Sequence, residues 1–302
     1  MPGALMLLDS ASLWFRAYHG VPATVVSPDG RPVNAVRGFL DHVARLIREH
    51  QPAGLVACLD EDWRPAFRVA AVPSYKTHRV NEESETDTPD DLAPQVEIIL
   101  DVLKAVGVAT AGAPGFEADD VIGTLAAAAK GEVDVVSGDR DLFQVIRPGV
   151  RVLYTVEKGR AYDDAAVAAR YGIPDARAYA DFALLRGDPS DGLPGVAGVG
   201  EKTAATLVCR YGSVEHLLAA LDSGEAIPAA AKISKAREYL AAANAVVRVA
   251  TSVPLPALNP AIPPRPVNPE RLSDLVEAHG LTSSIERLCG ALGMLDQGAD
   301  GG

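Results

Sequence analysis

Short apolar runs alternate with stretches of helical periodicity along the first half of the chain. In the runs at 4–9 and 54–60 nearly every residue is apolar, which is typical of strands buried on both faces of a sheet. Between these runs, apolar residues recur every three to four positions, as on one face of a helix. The predicted strands are 4–9, 54–60, 108–110 and 132–139, and the predicted helices are 34–49, 92–106 and one that opens near Glu117. This alternation predicts an α/β fold with a mostly parallel central sheet flanked by helices.

Beyond about residue 160 the apolar pattern changes to that of short helices. The predicted helices are 163–171, 175–186, 201–210, 213–222, an alanine-rich stretch near 227–248 and a final helix near 270–279. Proline-rich residues 254–269 are predicted to form an extended connector over the surface. We therefore divide the chain into a core domain of residues 1–160, a helical subdomain of residues 161–296 and a disordered tail of residues 297–302.

A strongly polar segment interrupts the first half. Residues 74–79 are basic, and residues 81–91 carry six acidic side chains and no apolar residue. Such a stretch is too polar for a core, so an exposed and mobile arch over residues 64–91 is predicted above the strand ends.

Composition narrows the class of protein. With 302 residues and 48% hydrophobic content, the chain can bury a sizeable core. Its formal net charge of −12 disfavours a nucleic-acid partner when taken alone, although bound divalent cations would cancel part of that charge. The cysteines Cys58, Cys209 and Cys289 lie too far apart for a zinc pattern. No charged leader and no membrane-spanning run is found, so a cytoplasmic protein is expected.

Acidic side chains follow the apolar runs at several points. Each of them could be a helix cap or a turn residue by itself, but Asp9, Asp60 and Asp139 all fall at the carboxyl ends of predicted parallel strands, which share one edge of a sheet. Carboxylates brought together repel one another unless cations lie between them, and oxygen-only ligands favour Mg²⁺ or Mn²⁺. At least two ions are expected, an arrangement suited to phosphodiester hydrolysis. The candidate ligands are Asp9, Asp60, Glu117, Asp119, Asp120, Asp139, Asp141, Asp188 and Asp191.

A glycine-rich turn precedes the helix predicted at 201–210. Gly195, Gly198 and Gly200 would leave backbone N–H groups open to a phosphate, and Lys202 adds positive charge beside them. A tight turn between two packed helices would use similar glycines, so both interpretations stay open at this point.

Three motifs carry a family resemblance. The segments GFEADD (115–120), SGDRD (137–141) and GDPSDGLPGVAGVGEKTA (187–204) resemble the 5′-nuclease or flap endonuclease family, which includes the N-terminal nuclease domain of bacterial DNA polymerase I. The resemblance runs from about Leu5 to Leu295. No polymerase module follows in the sequence, so a stand-alone bacterial 5′-nuclease is expected, with a PIN-like nuclease core and a helix-turn-helix DNA-binding subdomain.

The resemblance implies a multi-metal-ion 5′-3′ exonuclease and structure-specific flap endonuclease that acts on DNA in primer removal and repair. It implies two or three Mg²⁺ or Mn²⁺ ions. The first carboxylate group comprises Asp9, Asp60, Glu117, Asp119 and Asp139, and the second comprises Asp141, Asp188 and Asp191, with Asp120 contributing directly or through water. The implied partner is DNA with 5′ ends, flaps, nicks or gaps, bound by a nucleoid-associated monomer that works beside a separate DNA polymerase and ligase.

The resemblance also assigns basic and aromatic residues. Lys76 and Arg79 match residues that face the scissile phosphate from the arch and act in catalysis. The glycine-rich turn would hold the duplex, with backbone carbonyls binding a monovalent cation such as K⁺. The remaining DNA-binding residues are Arg16 and Arg68 beside the backbone, or else in structural ion pairs, and Phe15 and Tyr75 as rings near the unpaired nucleotide, with core packing as the alternative for Phe15.

Two departures from the family pattern and three competing functions accompany this interpretation. Gly192 stands where polymerase-associated relatives often have Asn, and Phe15 replaces a common Tyr. A PIN-type ribonuclease shares the acidic sheet edge, although such domains lack the glycine-rich turn. A non-catalytic protein that binds branched DNA is the second alternative. An aspartyl-phosphate phosphatase is weaker, because Asp9 is followed by Ser10 and Ala11 rather than by Asp-x-Asp.

Overall fold

The centre of the protein is a six-stranded sheet with strand order β3-β2-β1-β4-β5-β6. The structure, a computed structural model, describes residues 3–79 and 89–294. Strands β1 to β5 run parallel, and β6 pairs antiparallel with β5 at one edge. The strands are β1 (Leu5–Asp9), β2 (Gly54–Cys58), β3 (Ala109–Ala111), β4 (Val133–Ser137), β5 (Val150–Tyr154) and β6 (Arg160–Tyr162). The predicted α/β class and mostly parallel sheet are confirmed.

Helices cover the sheet and form the second half of the described chain. They are α1 (Ser10–Gly20), α2 (Asn34–His50), α3 (Ala66–Ala71), α4 (Ala93–Val106), α5 (Ala118–Ala128), α6 (Asp164–Tyr171), α7 (Tyr179–Arg186), α8 (Glu201–Tyr211), α9 (Val214–Asp222), α10 (Ala230–Lys235), α11 (Arg237–Val247), α12 (Pro269–His279) and α13 (Thr282–Ala291). None of the described helices is long and apolar enough to cross a membrane.

The two faces of the sheet bury two separate hydrophobic cores. Along β1, Leu7 belongs to the core shared with α5 and α7, whereas Met6 and Leu8 belong to the core shared with α2 and α4. Successive side chains of a strand point to opposite faces, so a strand covered on both sides must be apolar at nearly every position. This double burial explains the continuous apolar runs, and each buried Leu contributes roughly 1.5–3 kcal/mol.

The carboxyl ends of β2, β1 and β4 lie side by side and define the functional edge. Asp9 is the last residue of β1, and Asp60 and Asp139 follow the ends of β2 and β4 by two residues. Since these three strands are parallel neighbours, their acidic residues emerge at one edge, as the sequence predicted.

Several elements differ from the sequence predictions. The alanine-rich stretch near 227–248 divides into α10 and α11 at Ala236, and α13 follows the helix that was predicted to be the last. The predictions also lacked α1, α3, β5 and β6. Of these, β5 carried a recognisable signal, because its apolar residues follow Gly149 directly and Val150 and Val152 are β-branched.

The C-terminal segment returns to the core domain. Pro260 O accepts a hydrogen bond from Leu55 N at 2.9 Å, which places the connector along the first residues of β2. Leu272 and Leu288, from α12 and α13, are buried in the same core as α2 and α4. The last two helices, which belong to the predicted subdomain of residues 161–296, therefore pack on α2 and α4 of the core domain rather than on the other short helices.

The predicted arch is only partly visible. Residues 80–88, and the predicted tail at 297–302, lie outside the described residues. The described flank, 64–79, is docked on the loop that carries Asp188 and Asp191: Ser74 Oγ donates to Gly192 O at 2.8 Å, and Lys76 N donates to Asp191 O at 3.0 Å. The base of the arch therefore has a fixed position beside the acidic edge.

Candidate active site

Backbone and serine donors orient the acids that begin the first carboxylate group. Asp9 caps α1, where its Oδ1 accepts from Ser12 N at 3.2 Å, and its Oδ2 accepts from Ser137 Oγ at 2.5 Å. Asp60 Oδ1 accepts from Ala118 N at 2.6 Å, which ties the loop after β2 to the first turn of α5. These bonds fix the positions of both carboxylates at the strand ends.

Glu117 is the most heavily contacted acid of the first carboxylate group. Its carboxylate oxygens lie 2.7 Å from Lys76 Nζ, 2.8 Å from Arg68 Nη1 and 2.9 Å from the Tyr75 hydroxyl, which donates to it. As the N-cap of α5, Glu117 also bonds the third residue of the helix in a capping box with Asp120. Glu117 is therefore the junction between the sheet edge and the base of the arch.

Burial is the main cause of the raised pKa values in the first carboxylate group, and the neighbouring carboxylates add to it. Burial raises the pKa of Asp9 to about 7, against the hydrogen bond from Ser137, and the charges of Asp60 and Asp139 add to the rise. The pKa of Glu117 is likewise about 7, because burial outweighs the opposing effects of Lys76 and Arg68. The pKa of Asp119 is well above its ordinary value through burial and the neighbouring carboxylates, Asp139 first among them. Such a group binds protons or cations readily.

Asp139 links the first carboxylate group to the second. Its Oδ1 accepts from Asp141 N at 2.8 Å, and its charge raises the pKa values of both Asp141 and Asp191, after the larger effect of burial. Asp141 Oδ1 is buried and has no hydrogen-bond partner within the described part of the chain. An unsatisfied carboxylate oxygen in such a place is open to a cation or a proton.

Arginine side chains partly neutralise the second carboxylate group. Arg79 Nη2 lies 2.8 Å from Asp191 Oδ1, and Arg186 Nη2 lies 3.3 Å from Asp188 Oδ2. Arg140 approaches the same Asp188 oxygen at 3.7 Å. The base of the arch is thus held to the second group by Arg79 as well as by Lys76 N.

The donor chemistry of the edge fits hard divalent cations. All its donors are carboxylate oxygens, they are close enough to raise one another's pKa values, and Asp141 leaves one oxygen unsatisfied. In residues 3–79 and 89–294, however, no group of three His, Cys, Asp or Glu side chains is arranged so that it could hold a metal ion. Lys76 and backbone donors occupy oxygens of Glu117 and Asp60, so ion binding requires some carboxylates to turn out of their present hydrogen bonds.

The structure contradicts the assignments of Asp120 and Arg68. They form a buried bidentate ion pair, with Arg68 Nη1 and Nη2 at 2.9 and 2.7 Å from the two Asp120 oxygens. Asp120 Oδ1 also accepts from Ala250 N at 2.7 Å, which leaves no room for a metal ion. Arg68 is only 2% exposed and cannot reach a DNA backbone. The structural ion pair, left open as the alternative for Arg68, is the correct interpretation.

The stacking role predicted for Tyr75 is also wrong. Tyr75 is 2% exposed, and its hydroxyl donates to Glu117, so neither ring face is open to a base. Phe15 is half-buried against the core around α2, and Arg16 is exposed on the same helix, α1. Their roles beside DNA stay predictions.

The glycine-rich turn has two kinds of glycine. Gly195 crosses the backbone at Gly187 so closely that a Cβ on Gly195 would lie 2.4 Å from Gly187 N, and its own N–H donates to the Tyr239 hydroxyl at 3.1 Å. Gly195 therefore serves a tight crossing and not a phosphate contact, which corrects its assignment. Gly198 and Gly200 lie nearer the start of α8, with Lys202 exposed beside them, and their phosphate contacts stay predictions.

Gly192, the departure from the family pattern, is required by the base of the arch. It has φ +71°, and a Cβ there would lie 2.2 Å from Ser74 O. We expect Gly192→Ala to destabilise the protein by about 2 kcal/mol or more and to lower cleavage, because it displaces the segment that carries Lys76. Denaturant unfolding and initial rates test this.

The matched control is Gly200→Ala. Gly200 has an ordinary φ of −93°, and a Cβ there would meet nothing within 4 Å. Its substitution should cost less than about 1 kcal/mol. Equal losses of stability in the two variants would contradict the role given to Gly192.

Sequence reasoning missed several residues that shape the site. Ser12 had a signal, because it follows Asp9 by three residues, the spacing of a helix cap. Lys232 and Tyr239 had none, since they contact the glycine-rich turn from 34 and 44 residues away.

Comparison with known proteins identifies the relatives of this chain. Residues 4–172 match the family model of the 5′-3′ exonuclease N-terminal resolvase-like domain, and residues 175–270 match that of the 5′-3′ exonuclease C-terminal SAM fold. A 5′-3′ exonuclease of Mycobacterium tuberculosis is 51% identical over 98% of this chain and 99% of its own length. DNA polymerase I of Mycobacterium bovis is 43% identical over 72% of this chain, which corresponds to 24% of that protein.

A solved structure shares the fold. The bacteriophage T5 flap endonuclease, crystallised in a complex with DNA and metal ions, superposes with a TM-score of 0.63. The match covers 96% of this chain and 99% of that one at 16% identity. At this level of identity the likeness establishes the fold, which agrees with the predicted nuclease core joined to a helical subdomain.

Proposed function

Because the chain belongs to the 5′-3′ exonuclease family, we propose that it is a divalent-metal-dependent 5′-nuclease that hydrolyses phosphodiester bonds of DNA at 5′ ends and flaps. The observation that carries the proposal is the pair of carboxylate groups joined through Asp139 at one sheet edge, with Lys76 held against Glu117. Primer removal and DNA repair are the processes that this activity would serve, with a separate polymerase and ligase as partners and a monomeric enzyme.

Mg²⁺ or Mn²⁺ would be held by the first carboxylate group and by Asp141, Asp188 and Asp191 of the second. When bound, such ions supply Lewis acidity toward the phosphodiester and the charge that develops on it. The chain's own residues orient this arrangement. Hydrogen bonds from Ser12, Ser137 and Ala118 N hold Asp9 and Asp60 at the strand ends, from where each carboxylate would turn toward an ion.

Lys76 adds a positive charge that does not depend on ions. Burial alone would lower the pKa of Lys76, but Glu117 and Asp191 outweigh it and raise the pKa, so the ammonium stays charged at neutral pH. Its Nζ also donates to Trp63 O at 3.3 Å, which holds the side chain over the acidic edge. Released toward a phosphate, this ammonium would stabilise the negative charge of the transition state.

Duplex binding is proposed for the start of α8 and for α1. Gly198, Gly200 and Lys202 would contact the backbone of the paired strand, while Arg16 and Phe15 would contact the strand near the cut. Because the chain carries a net charge of −12, its affinity for DNA depends on such local basic residues, and binding should weaken as the salt concentration rises.

Cleavage mapping tests the proposed function directly. Labelled flapped, nicked, gapped and blunt DNA, together with single-stranded RNA, would be incubated with Mg²⁺ or Mn²⁺, and the product ends would be identified. We expect cuts near the junction of flapped and nicked DNA that leave 5′-phosphates. Cleavage of RNA alone would establish the PIN-type ribonuclease instead, and binding without any cleavage would establish the branched-DNA-binding protein.

The pH dependence of stability should reveal the carboxylate groups. Asp9 and Glu117 have ordinary pKa values of 3.8 and 4.5, and both are raised to about 7 in the folded chain. Between these values the folded protein binds more protons than the unfolded one, so its stability falls as pH rises. Without divalent ions, the thermal midpoint should therefore drop by several degrees between about pH 5 and about pH 8.

Ions should reverse this loss. At saturating Mn²⁺ the midpoint should rise by about 5 °C at pH 8 and by less at pH 5, because protons and ions compete for the same oxygens. Differential scanning fluorimetry with and without chelator measures both effects. A thermal midpoint that rises from pH 5 to pH 8 without ions, or that does not change when Mn²⁺ is added at pH 8, would count against the multi-ion site.

Lys232 bears on the K⁺ predicted at the glycine-rich turn. Its Nζ donates to Gly198 O at 3.0 Å, so an ammonium already lies on a carbonyl of the turn. We expect duplex affinity to change less than about twofold when K⁺ is exchanged for choline, and Lys232→Met to make binding depend on K⁺ by about fivefold. Fluorescence anisotropy measures the affinity, and Lys235→Met is the control on the same helix. A K⁺ requirement in the unmodified protein would refute the role of Lys232.

A further inference from the structure

One exposed aromatic ring lies beside the acidic edge. Among the described residues, the large apolar side chains with high exposure are three valines and Phe67, whose exposed fraction is 42%. Phe67 directly precedes Arg68 in α3, and its ring centroid is 6.0 Å from that of Phe116, which directly precedes Glu117. Since Arg68 and Glu117 are ion-paired at 2.8 Å, the two rings flank that ion pair.

The side chains that contact Phe67 cover only part of its ring. The Arg68 guanidinium lies 5.0 Å from the ring centroid, and the Phe116 ring is tilted by 50° to that of Phe67. These contacts hold the ring in place but leave it open to solvent. Tyr75, the other aromatic residue of this segment with a predicted role, has no open face. Phe67 therefore presents a supported aromatic surface next to Arg68, whose partner Glu117 also contacts the Lys76 ammonium.

We propose that Phe67, supported by Phe116, stacks on the nucleobase of the unpaired nucleotide next to the scissile phosphate. The inference rests on the proposed function. Lys76 and Arg79 offer the positive charge that a phosphate needs, and Phe67, linked to Lys76 through Arg68 and Glu117, offers the π-surface that a base needs. A paired base stays inside the duplex stack and cannot reach such a ring, so the occupant is an unpaired base. Stacking of this kind accepts any base.

Coupling between a protein change and a DNA change tests the proposal. Flap DNA would carry either a normal base or an abasic unit at the first unpaired nucleotide, and affinity would be measured with a chelator present so that the strand is not cut. For the unmodified protein, removal of the base should weaken binding about tenfold. Phe67→Ala should bind both DNAs equally and about as weakly as the unmodified protein binds abasic DNA.

Further variants separate stacking from support of Arg68. Phe67→Tyr keeps the ring and should retain the preference for a base, whereas Phe67→Leu keeps a large apolar side chain beside Arg68 and should lose it. Fluorescence of 2-aminopurine at the same nucleotide should be quenched by the unmodified protein and by Phe67→Tyr alone. Val267→Ala, at a side chain 62% exposed in the connector, is the control and should change nothing.

Additive losses from Phe67→Ala and the abasic unit would overturn the proposal, as would a Phe67→Leu variant with full base preference. In both cases flap cleavage by the unmodified protein would remain, so the proposed function would stand. A protein that neither binds nor cuts flap DNA would instead refute the proposed function, and the stacking site with it.

Discussion

Replacement of Asp139 by Asn should lower cleavage of flapped DNA by about 1000-fold or more, with DNA affinity changed by less than about threefold. Asp139 belongs to the first carboxylate group and lies next to the second. Its charge raises the pKa values of Asp9 and Asp119 in the first group and of Asp141 and Asp191 in the second. The amide keeps the size of the side chain and an oxygen for Asp141 N, but it removes the charge that both ion sites would share.

Single-turnover kinetics and equilibrium binding would measure the two effects. Asp134→Asn is the control on the same strand, because Asp134 pairs with Arg151 at 2.6 Å toward the opposite end of β4. That variant should keep its cleavage rate within about threefold at temperatures below its unfolding midpoint. Intact cleavage by the Asp139 variant would remove Asp139 from the reaction and weaken the two-group description of the site.

Replacement of Lys76 by Ala should lower the turnover number by about 10²- to 10³-fold while DNA affinity falls by less than about fivefold. The reason is the position of its ammonium, 2.7 Å from Glu117 among the acids rather than on an open surface. A charge placed there acts on the phosphate that reacts, whereas a charge on the surface steers DNA as a whole.

Two further variants make the result specific. Lys76→Met keeps the aliphatic stem and should match Lys76→Ala in turnover, which separates charge from packing. Lys202→Ala should show the opposite division, with weaker binding and nearly unchanged turnover. If the loss in Lys76→Ala were confined to binding, Lys76 would be a DNA-steering residue and not a catalytic one.

The acidic edge was predictable because it depends only on the order of strands and helices along the chain. Apolar runs that end in Asp9, Asp60 and Asp139 belong to parallel strands, and parallel strands necessarily share an edge for their carboxyl ends. The two buried cores follow from the same runs. No knowledge of side-chain contacts was needed for either result.

The partners of individual side chains were not predictable in the same way. Asp119 and Asp120 are neighbours in sequence, yet helical geometry turns Asp120 toward Arg68 and leaves Asp119 among the carboxylates. Tyr75 and Gly195 were misassigned for a related reason, since each is committed to a contact with a residue far away in sequence. A motif records which residues are present and not which neighbour each one faces.

The close crossing of Gly187 and Gly195 connects the second carboxylate group to the glycine-rich turn. Asp188 and Leu193 exchange two backbone hydrogen bonds at 2.9 and 2.8 Å, so the loop that carries Asp188 and Asp191 and the turn that leads into α8 form one stiff piece. If α8 binds the duplex, the backbone of this piece fixes the distance between the duplex contact and the carboxylates. The position of the cut would then follow from that distance and not from the base sequence.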